Sequence, residues 1–227
     1  MTSPISETQD TRLRVVVVDD HPMVRERLAE IINREPDLHV CGEAEDRAGA
    51  LRVISRTDPA LAIVDLTLKR SHGLELIKDL KVMHPELRIL VVSMQEESLY
   101  AERVIHAGAH GYITKQEATR RIMEAIRKVL SGDIYLSEKL AVQIAARAFG
   151  HRRGSGAASV DSLADRELQV FELIGRGLGT RQIAEELNLD IKTIETYRAR
   201  IKEKLRLKDA SELLRTAITW AQGRIQS

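Results

Sequence analysis

The feature that most constrains the fold is an alternation of short apolar runs with amphipathic stretches of helical length, which extends from Leu13 to about Ser131. The five predicted strands are residues 14–18, 39–44, 61–64, 88–93 and 111–114. Short apolar strands separated by helices are typical of a parallel sheet that is covered on both faces. We therefore predict an α/β doubly wound, five-stranded parallel sheet, with helices at about residues 23–33, 47–56, 74–84, 98–107 and 117–131.

The pattern changes after Leu136. One more helix is predicted at residues 137–149, and residues 150–159 (GHRRGSGAAS) have the Gly and Ser content of a flexible linker. Beyond the linker there is no strand pattern, and four helices are predicted at residues 166–176, 181–187, 191–205 and 210–221. We thus expect a disordered tail at 1–12, an α/β domain at 13–133, a linker helix and flexible linker at 134–161, and a small all-α domain at 162–227.

Composition limits the classes of partner and compartment. A chain of 227 residues has room for two ordinary domains. Its one cysteine, Cys41, excludes an internal disulfide and a Cys-rich zinc cluster. The formal net charge is only +1, so binding to a polyanion would need a local basic patch. The longest apolar runs are strand-sized, so we expect a cytoplasmic protein without a membrane span.

Polar side chains follow four of the predicted strands. Asp19 and Asp20 follow the first strand, Asp65 the third, Ser93 ends the fourth and Lys115 follows the fifth. The carboxyl ends of parallel strands meet in one crevice, so these groups should converge. Three crowded carboxylates need a balancing cation, and oxygen ligands favour Mg²⁺. An aspartate in such a site can attack phosphorus and form an acyl phosphate, with Mg²⁺ and the lysine stabilising the phosphoryl oxygens.

Five segments resemble the receiver domain of two-component response regulators: residues 15–22 (VVVVDDHP), 63–68 (IVDLTL), 73–76 (GLEL), 91–94 (VVSM) and 111–115 (GYITK). The resemblance covers about residues 13–131 and implies a flavodoxin-like fold. It also implies that Asp65 accepts the phosphoryl group and that Lys115 is the lysine typical of the family. The implied Mg²⁺ ligands are Asp20, Asp19 through water, Asp65 and the backbone carbonyl of Thr67. Ser93 would be the switch hydroxyl and Tyr112 the switch aromatic residue.

Two positions depart from the commonest receiver pattern. Lys69 stands where many receivers have a proline, and Met94 follows Ser93 where a small residue is usual. Because a long side chain beside the acyl phosphate hinders attacking water, we expect slow loss of the phosphoryl group. The seven histidines show no metal-ligand spacing, so we expect His21, His72 and His110 to be polar loop residues.

In the helical half, basic charge is concentrated on one predicted helix. Residues 192–208 contain seven cations and two acids, a local net charge of +5. In the same helix Ile194, Ile201 and Leu205 recur at helical spacing and should face the core. The preceding short helix and a tight turn complete a helix-turn-helix, and a focused basic surface on it favours binding to DNA phosphates.

Four segments of this half resemble the LuxR-type helix-turn-helix: residues 163–167 (LADRE), 181–187 (RQIAEEL), 192–197 (KTIETY) and 201–205 (IKEKL). With the receiver, the chain resembles response regulators of the NarL/FixJ class. The resemblance implies a major-groove helix at 191–205, with Glu195, Thr196 and Ala199 at base edges. The full set of implied DNA-binding residues is Arg181, Lys192, Thr193, Glu195, Thr196, Arg198, Ala199, Arg200 and Lys202. On the last helix, the apolar stripe is either core or dimer contact, and Leu213 and Ala217 are assigned to the dimer.

These features favour a transcription regulator whose DNA binding and dimerisation depend on phosphorylation. Its expected partners are a sensor histidine kinase or small phosphodonor, double-stranded DNA and a second copy of the chain. A phosphotransfer enzyme is one alternative, but it would need a second acid two residues after the nucleophile, where Thr67 stands. Another alternative is a regulator that is never phosphorylated and uses its α/β half only to dimerise.

Overall fold

The structure is a computed structural model that describes residues 11–68, 71–95, 97–138, 140–142 and 160–225. The chain divides into two compact units, Met1–Ile144 and Ala145–Ser227. Most of the predicted tail and most of the predicted linker, residues 1–10 and 143–159, lie outside the described residues. No helix among the described residues has the length and apolar character that a bilayer crossing requires.

A five-stranded parallel sheet forms the centre of the N-terminal unit. Its strands are β1 (Leu13–Val18), β2 (Leu38–Ala44), β3 (Leu61–Val64), β6 (Arg88–Ser93) and β7 (Gly111–Thr114). Their order is β2-β1-β3-β6-β7, and every pairing is parallel. The predicted sheet is confirmed. The strand order reverses between β1 and β3, so a crevice is expected at their carboxyl ends.

Helices cover both faces of this sheet, which is why the inner residues of its central strands are apolar and buried. They are α1 (Pro22–Asn33), α2 (Arg47–Thr57), α3 (Gly73–Met83), α4 (Glu97–His106) and α5 (Lys115–Leu130). Their starts follow from local chemistry. Pro22 occupies the first turn of α1, and the Asp46 side chain accepts a hydrogen bond from Gly49 N at 2.7 Å to cap α2.

A short antiparallel pair between β3 and α3 was not predicted. It consists of β4 (Thr67–Leu68) and β5 (Ser71–His72), with Thr67 opposite His72. Two-residue strands are too short to show a periodicity in the sequence. Lys69, one of the departures from the receiver pattern, lies outside the described residues.

The segment after α5 returns to the sheet edge. Tyr135 forms a parallel bridge with Gly111; Tyr135 N donates to His110 O at 3.0 Å, and Tyr112 N donates to Tyr135 O at 2.8 Å. Ser137 then starts a helix, because its hydroxyl accepts from Leu140 N at 3.2 Å and its carbonyl from Ala141 N at 3.0 Å. Of the helix predicted at 137–149, residues 138 and 140–142 are helical, Ser137 precedes the first turn, and residues 139 and 143–149 lie outside the described residues.

Within residues 160–225, the C-terminal unit consists of helices joined by short turns. After a 3₁₀ turn at Val160–Ser162 come α6 (Asp165–Gly175), α7 (Thr180–Leu187), α8 (Ile191–Leu205) and α9 (Ala210–Ile225). All four predicted helices are confirmed, the last with a longer carboxyl end. Asn188 ends α7 in the left-handed conformation, with φ of 50°, and Asp190 caps α8 through a 2.8 Å bond from Thr193 N. These turn residues set the helix-turn-helix.

The structure places Leu213 and Ala217, the two residues assigned to the dimer contact on α9, in the core of the C-terminal unit. Both side chains are fully buried within their own unit. Close packing against α6 explains this, since a Cβ atom added to Gly175 would lie 2.6 Å from the Ala217 carbonyl oxygen. A side chain without exposed surface cannot contact a second chain, so these two residues belong to the core.

Candidate functional site

The polar residues that follow the strands meet at the crevice. Lys115 Nζ, at the start of α5, lies 2.6 Å from Asp19 Oδ2 and 2.7 Å from Asp65 Oδ2. Asp19 and Asp65 are 2% and 3% exposed, so the lysine joins two buried carboxylates. The structure thus brings together the residues expected from β1, β3 and β7.

Backbone geometry fixes the position of Asp65. Its amide donates to Val18 O at 2.8 Å, and its Oδ1 accepts from Thr67 N at 3.2 Å. Beneath it, α3 begins at Gly73, where an added Cβ atom would lie only 2.1 Å from the Asp65 carbonyl oxygen. Only a residue without a side chain fits there, and Asp65 is therefore held between β1 and α3.

The pocket has strong opposing electrostatic effects. Burial raises the pKa of Asp65, and Asp19 adds to that effect, whereas Lys115 opposes it. Burial acts to lower the pKa of Lys115, but Asp65 and Asp19 outweigh it and the pKa is raised. Lys115 is therefore a stable ammonium group. Three carboxylates and this one ammonium leave a net charge of −2, which a divalent cation would balance.

The ligand set also fits a cation. One ligand atom from each of Asp19, Asp20, His21 and Asp65 lies within 4.8 Å of the others. Within the described residues, Asp20 Oδ1 is shielded from solvent and has no hydrogen-bond partner, although His21 Nδ1 is 2.6 Å away. A buried carboxylate oxygen whose one polar neighbour is a poorly aligned histidine nitrogen is better satisfied by a cation. Hard oxygen ligands of this kind suit Mg²⁺.

Of the three histidines expected to be polar loop residues, His72 departs from that expectation, whereas His21 is an exposed residue of the loop after β1. His21 belongs to the acidic pocket, and its place directly after Asp20 was the available signal. His72 is 1% exposed; its Nδ1 accepts from Leu74 N at 3.2 Å and so caps α3. His110 is partly buried and accepts from Ile89 N at 3.1 Å, and burial is the main reason that its pKa falls to about 4.

The predicted switch residues lie beside the pocket, at the end of β6 and on β7. Ser93 is fully buried, and its Oγ accepts from Gln95 N at 3.2 Å. Tyr112 is also fully buried, and its hydroxyl donates to Gln95 O at 2.7 Å. Met94, between them in the chain, is 68% exposed, and its expected effect on the phosphoryl lifetime stays a prediction.

In the C-terminal unit, α8 has a buried face and an exposed face. Ile194, Ile201 and Leu205 are buried, as the periodicity predicts. Of the residues expected to bind DNA, the exposed ones are Arg181, Lys192, Glu195, Thr196, Ala199 and Arg200, and the partly buried ones are Thr193, Arg198 and Lys202. The exposed face therefore contains all three residues expected at base edges.

Some of these side chains already have partners within the chain. Thr193 Oγ1 donates to Asp190 Oδ2 at 2.7 Å, so its hydroxyl is part of the helix cap. Thr196 Oγ1 donates to Lys192 O at 2.9 Å, which leaves its methyl group as the part available for an apolar contact. Arg181 forms an exposed ion pair with Glu185 at 3.4 Å, a kind of pair that contributes little to stability and exchanges easily for a phosphate.

One cation counted in the basic cluster has a structural role. Lys204 Nζ lies 2.6 Å from Glu167 Oε2, and Glu167 is 3% exposed. The same carboxylate oxygen accepts from Ala164 N at 2.8 Å and so fixes the start of α6. The pair spans 37 positions and could not be found from sequence spacing. Lys204 therefore connects α8 to α6. Because its charge is paired with Glu167, it contributes less to the exposed basic surface than the other six cations of residues 192–208 can.

Comparison with known proteins gives matches for both units. The family model for the response regulator receiver domain matches residues 15–127, and the model for bacterial regulatory proteins of the luxR family matches residues 161–217. The chain is 34% identical to the transcriptional activator protein ExaE of Pseudomonas putida over 204 residues, which covers 90% of this chain and 95% of the relative. It is 31% identical to the oxygen regulatory protein NreC of Staphylococcus carnosus over 211 residues, 91% of this chain and 97% of NreC.

Comparison with solved structures also gives matches to response regulators. RcsB from Salmonella enterica serovar Typhimurium, bound to a promoter in the presence of the phosphomimetic BeF3−, matches with a TM-score of 0.63 and 26% identity over 91% of this chain and 98% of RcsB. A LuxR-family two-component response regulator from Aurantimonas sp. matches with a TM-score of 0.56 and 34% identity, over 61% of this chain and 99% of that one.

Proposed function

The chain belongs to the two-component response regulators that join a receiver domain to a LuxR-type DNA-binding domain, and on that premise we propose that phosphorylation of Asp65 controls its binding to double-stranded DNA. Its relatives are transcriptional regulators, so the chain is a DNA-binding regulator and not a phosphotransfer enzyme. The observation that carries the proposal is the Lys115 ammonium group between Asp19 and Asp65.

In the phosphorylation step, an Asp65 carboxylate oxygen attacks the phosphorus of a sensor histidine kinase's phosphohistidine or of a small phosphodonor. A phosphorus–oxygen bond forms, and the donor leaves with the electron pair of the bond that breaks. Lys115 supports this step because its ammonium group lies where negative charge develops on the phosphoryl oxygens. Asp19, Asp20, Asp65 and the Thr67 carbonyl would hold Mg²⁺, which supplies further charge neutralisation when bound.

The phosphoryl group would then attract the Ser93 hydroxyl, and Tyr112 would follow. A charge-assisted hydrogen bond contributes about 1.5 to 3 kcal/mol. Moving a population from 1% to 99% active takes about 5.5 kcal/mol, so a second source of free energy is needed. We propose that homodimerisation supplies it. With Leu213 and Ala217 buried, Leu214 of α9, which is 41% exposed, is the better candidate for a contact between DNA-binding domains.

On DNA, α8 would lie in the major groove with its exposed face toward the bases. Glu195 can accept a hydrogen bond from a cytosine amino group, and the Thr196 methyl group can pack on a thymine methyl. Lys192, Arg200 and the other basic residues would contact phosphates, with Arg181 exchanging its ion pair with Glu185. A protein of this kind would work in the cytoplasm, where its DNA lies.

The decisive experiment treats the full chain with acetyl phosphate and Mg²⁺ and follows phosphorylation by intact mass, self-association by sedimentation and binding to sites selected from a random DNA pool. We expect one phosphoryl group on Asp65, more dimer and tighter DNA binding. Asp65→Asn should abolish all three, whereas Asp58→Asn, on an exposed loop, should change none. Stimulation that survives Asp65→Asn would favour the regulator that is never phosphorylated.

A further inference from the structure

A closed circuit of hydrogen bonds connects Tyr112 to the start of the linker. The Tyr112 hydroxyl donates to Gln95 O at 2.7 Å, and the Tyr112 amide donates to Tyr135 O at 2.8 Å. Two residues beyond Gln95, the Glu97 side chain accepts from Ser137 N at 2.8 Å. Because Ser137 is two residues beyond Tyr135, the two paths meet. Tyr112 is therefore connected to the segment after α5 in two ways: directly through Tyr135, and through Gln95 and Glu97 to Ser137.

Tyr135, at the centre of residues 133–137, is also packed closely against the sheet. Tyr135 is 5% exposed, and a Cβ atom added to Gly111 would lie 3.0 Å from Tyr135 Cβ and 3.1 Å from its carbonyl oxygen. The Arg121 guanidinium lies 5.9 Å above the Tyr135 ring. A displacement of Tyr112 or of the start of α4 should therefore move this segment too, because close packing leaves no free space between them.

We propose that residues 133–137 carry the state of the phosphorylation site to the linker, and that Glu97 is the positioning residue for this transfer. The proposal rests on the proposed function. In this structure the Gln95 backbone N–H donates to Ser93 Oγ. When Ser93 turns toward the phosphoryl group, the Gln95 N–H loses that acceptor. Glu97, at the start of α4, then shifts, and Ser137 N either moves with the Glu97 carboxylate or loses that hydrogen bond.

A simpler explanation is that the segment only covers an exposed strand edge, as proteins often do. The two backbone bonds of Tyr135, to His110 and Tyr112, already do that. The bond from Ser137 to Glu97 is different, because it connects the segment to α4, which is not part of the sheet. Protection of the edge does not need Glu97, and the two explanations therefore differ in what removal of its carboxylate does.

The test compares Glu97→Ala, which removes the acceptor, with Glu97→Gln, which keeps an amide oxygen in the same place. Glu26→Ala, an exposed glutamate on α1, is the matched control. Each full-length protein is treated with acetyl phosphate and Mg²⁺, and we measure phosphorylation by intact mass, dimerisation by sedimentation and amide exchange of residues 133–137. Ser137→Pro, which lacks the donor N–H, repeats the removal from the other side.

We expect phosphorylation of Asp65 in every variant. Glu97→Ala and Ser137→Pro should lose most of the phosphorylation-dependent increase in dimer, and in Glu97→Ala the Ser137 amide should exchange about 10- to 100-fold faster, the loss expected for one charge-assisted bond. Glu97→Gln should restore most of the response. Wild-type stimulation in both Glu97→Ala and Ser137→Pro would overturn the inference and leave the proposed function intact. A wild-type protein that is not phosphorylated, or not stimulated, would overturn both.

Discussion

Gly73→Ala tests whether the start of α3 positions the phosphorylation site. The added methyl group would lie 2.1 Å from the Asp65 carbonyl oxygen, 2.8 Å from Leu66 Cα and 3.0 Å from the Asp65 carbonyl carbon. All three neighbours are backbone atoms, so no side chain can rotate to make room. The Gly73 amide also donates to Leu66 O at 2.8 Å, which holds α3 against the same turn. Either α3 or Asp65 must move.

The size of the effect follows from this geometry. Carbon and oxygen atoms pack at about 3.5 Å, so relief of the 2.1 Å contact needs a shift of about 1.4 Å. Overpacking of a well-packed site costs about 1 to 3 kcal/mol, and the rigid surroundings favour the upper end. A 1 Å misplacement of a reacting group can cost about 100-fold in rate. We therefore expect the free energy of unfolding to fall by about 3 kcal/mol and the rate of Asp65 phosphorylation to fall by about 100-fold.

Urea titration and time courses with acetyl phosphate measure the two quantities. Gly49→Ala is the matched control, because Gly49 also lies in the first turn of a helix, but its nearest contact is the Asp46 carboxylate at 3.1 Å, a side chain that can adjust. That control should change stability by less than about 1 kcal/mol, since alanine is the better helix former. If Gly73→Ala were phosphorylated at the wild-type rate with unchanged stability, the positioning role assigned to Gly73 would be refuted.

Three further predictions concern other groups. Because burial lowers the pKa of His110 to about 4 from 6.5, the unfolded chain binds a proton there before the folded protein does, so the free energy of unfolding should fall as the pH falls from 6.5 to 4. We expect about 1 to 2 kcal/mol, since the ring is only partly buried, and urea titrations of His110→Gln should show a smaller fall; an equal fall would exclude this group as the cause. Thr196→Ser keeps the hydroxyl group but removes the methyl group, so gel shifts with selected DNA sites should show a loss of about 1 kcal/mol at one thymine with unchanged salt dependence. A changed salt dependence would argue for a phosphate contact instead. Glu167→Gln should lower the free energy of unfolding by about 1 to 2 kcal/mol because the Lys204 ion pair is lost, whereas the exposed Glu186→Gln should have no effect; equal effects would deny the pair a structural role.

Much of the fold could be predicted because its signals are local and repeated. The inner strands β1, β3 and β6 are apolar runs with a proline or acidic residue near a boundary, and helices on both faces require such runs. The convergence of Asp19, Asp65 and Lys115 also followed, since topology alone brings the carboxyl ends of parallel strands together. The division of α8 into two faces followed from helical periodicity in the same way.

The features that escaped prediction depend on contacts between distant parts of the chain. Leu213 and Leu214 are both leucines on one helix, and only the packing of α9 on α6 decides that the first is buried and the second exposed. Lys204 looks like any other cation of the basic helix until Glu167 is placed beside it. The position of His21 directly after Asp20 hints at the acidic pocket, but the contribution of Asp65 to the same group depends on the pairing of β1 with β3.

The edge of the sheet at β7 also bears on how the receiver domain behaves when it is studied alone. Tyr135 occupies the hydrogen-bonding groups that this edge would otherwise offer to water or to a neighbouring sheet. A chain cut at Gly132 would leave Tyr112 N and His110 O without that partner. Bare edges recruit strands from other molecules. Self-association of such a shortened fragment would then result from the edge that truncation exposes and not from the protein's own assembly. Fragments of the receiver domain should therefore extend beyond Ser137.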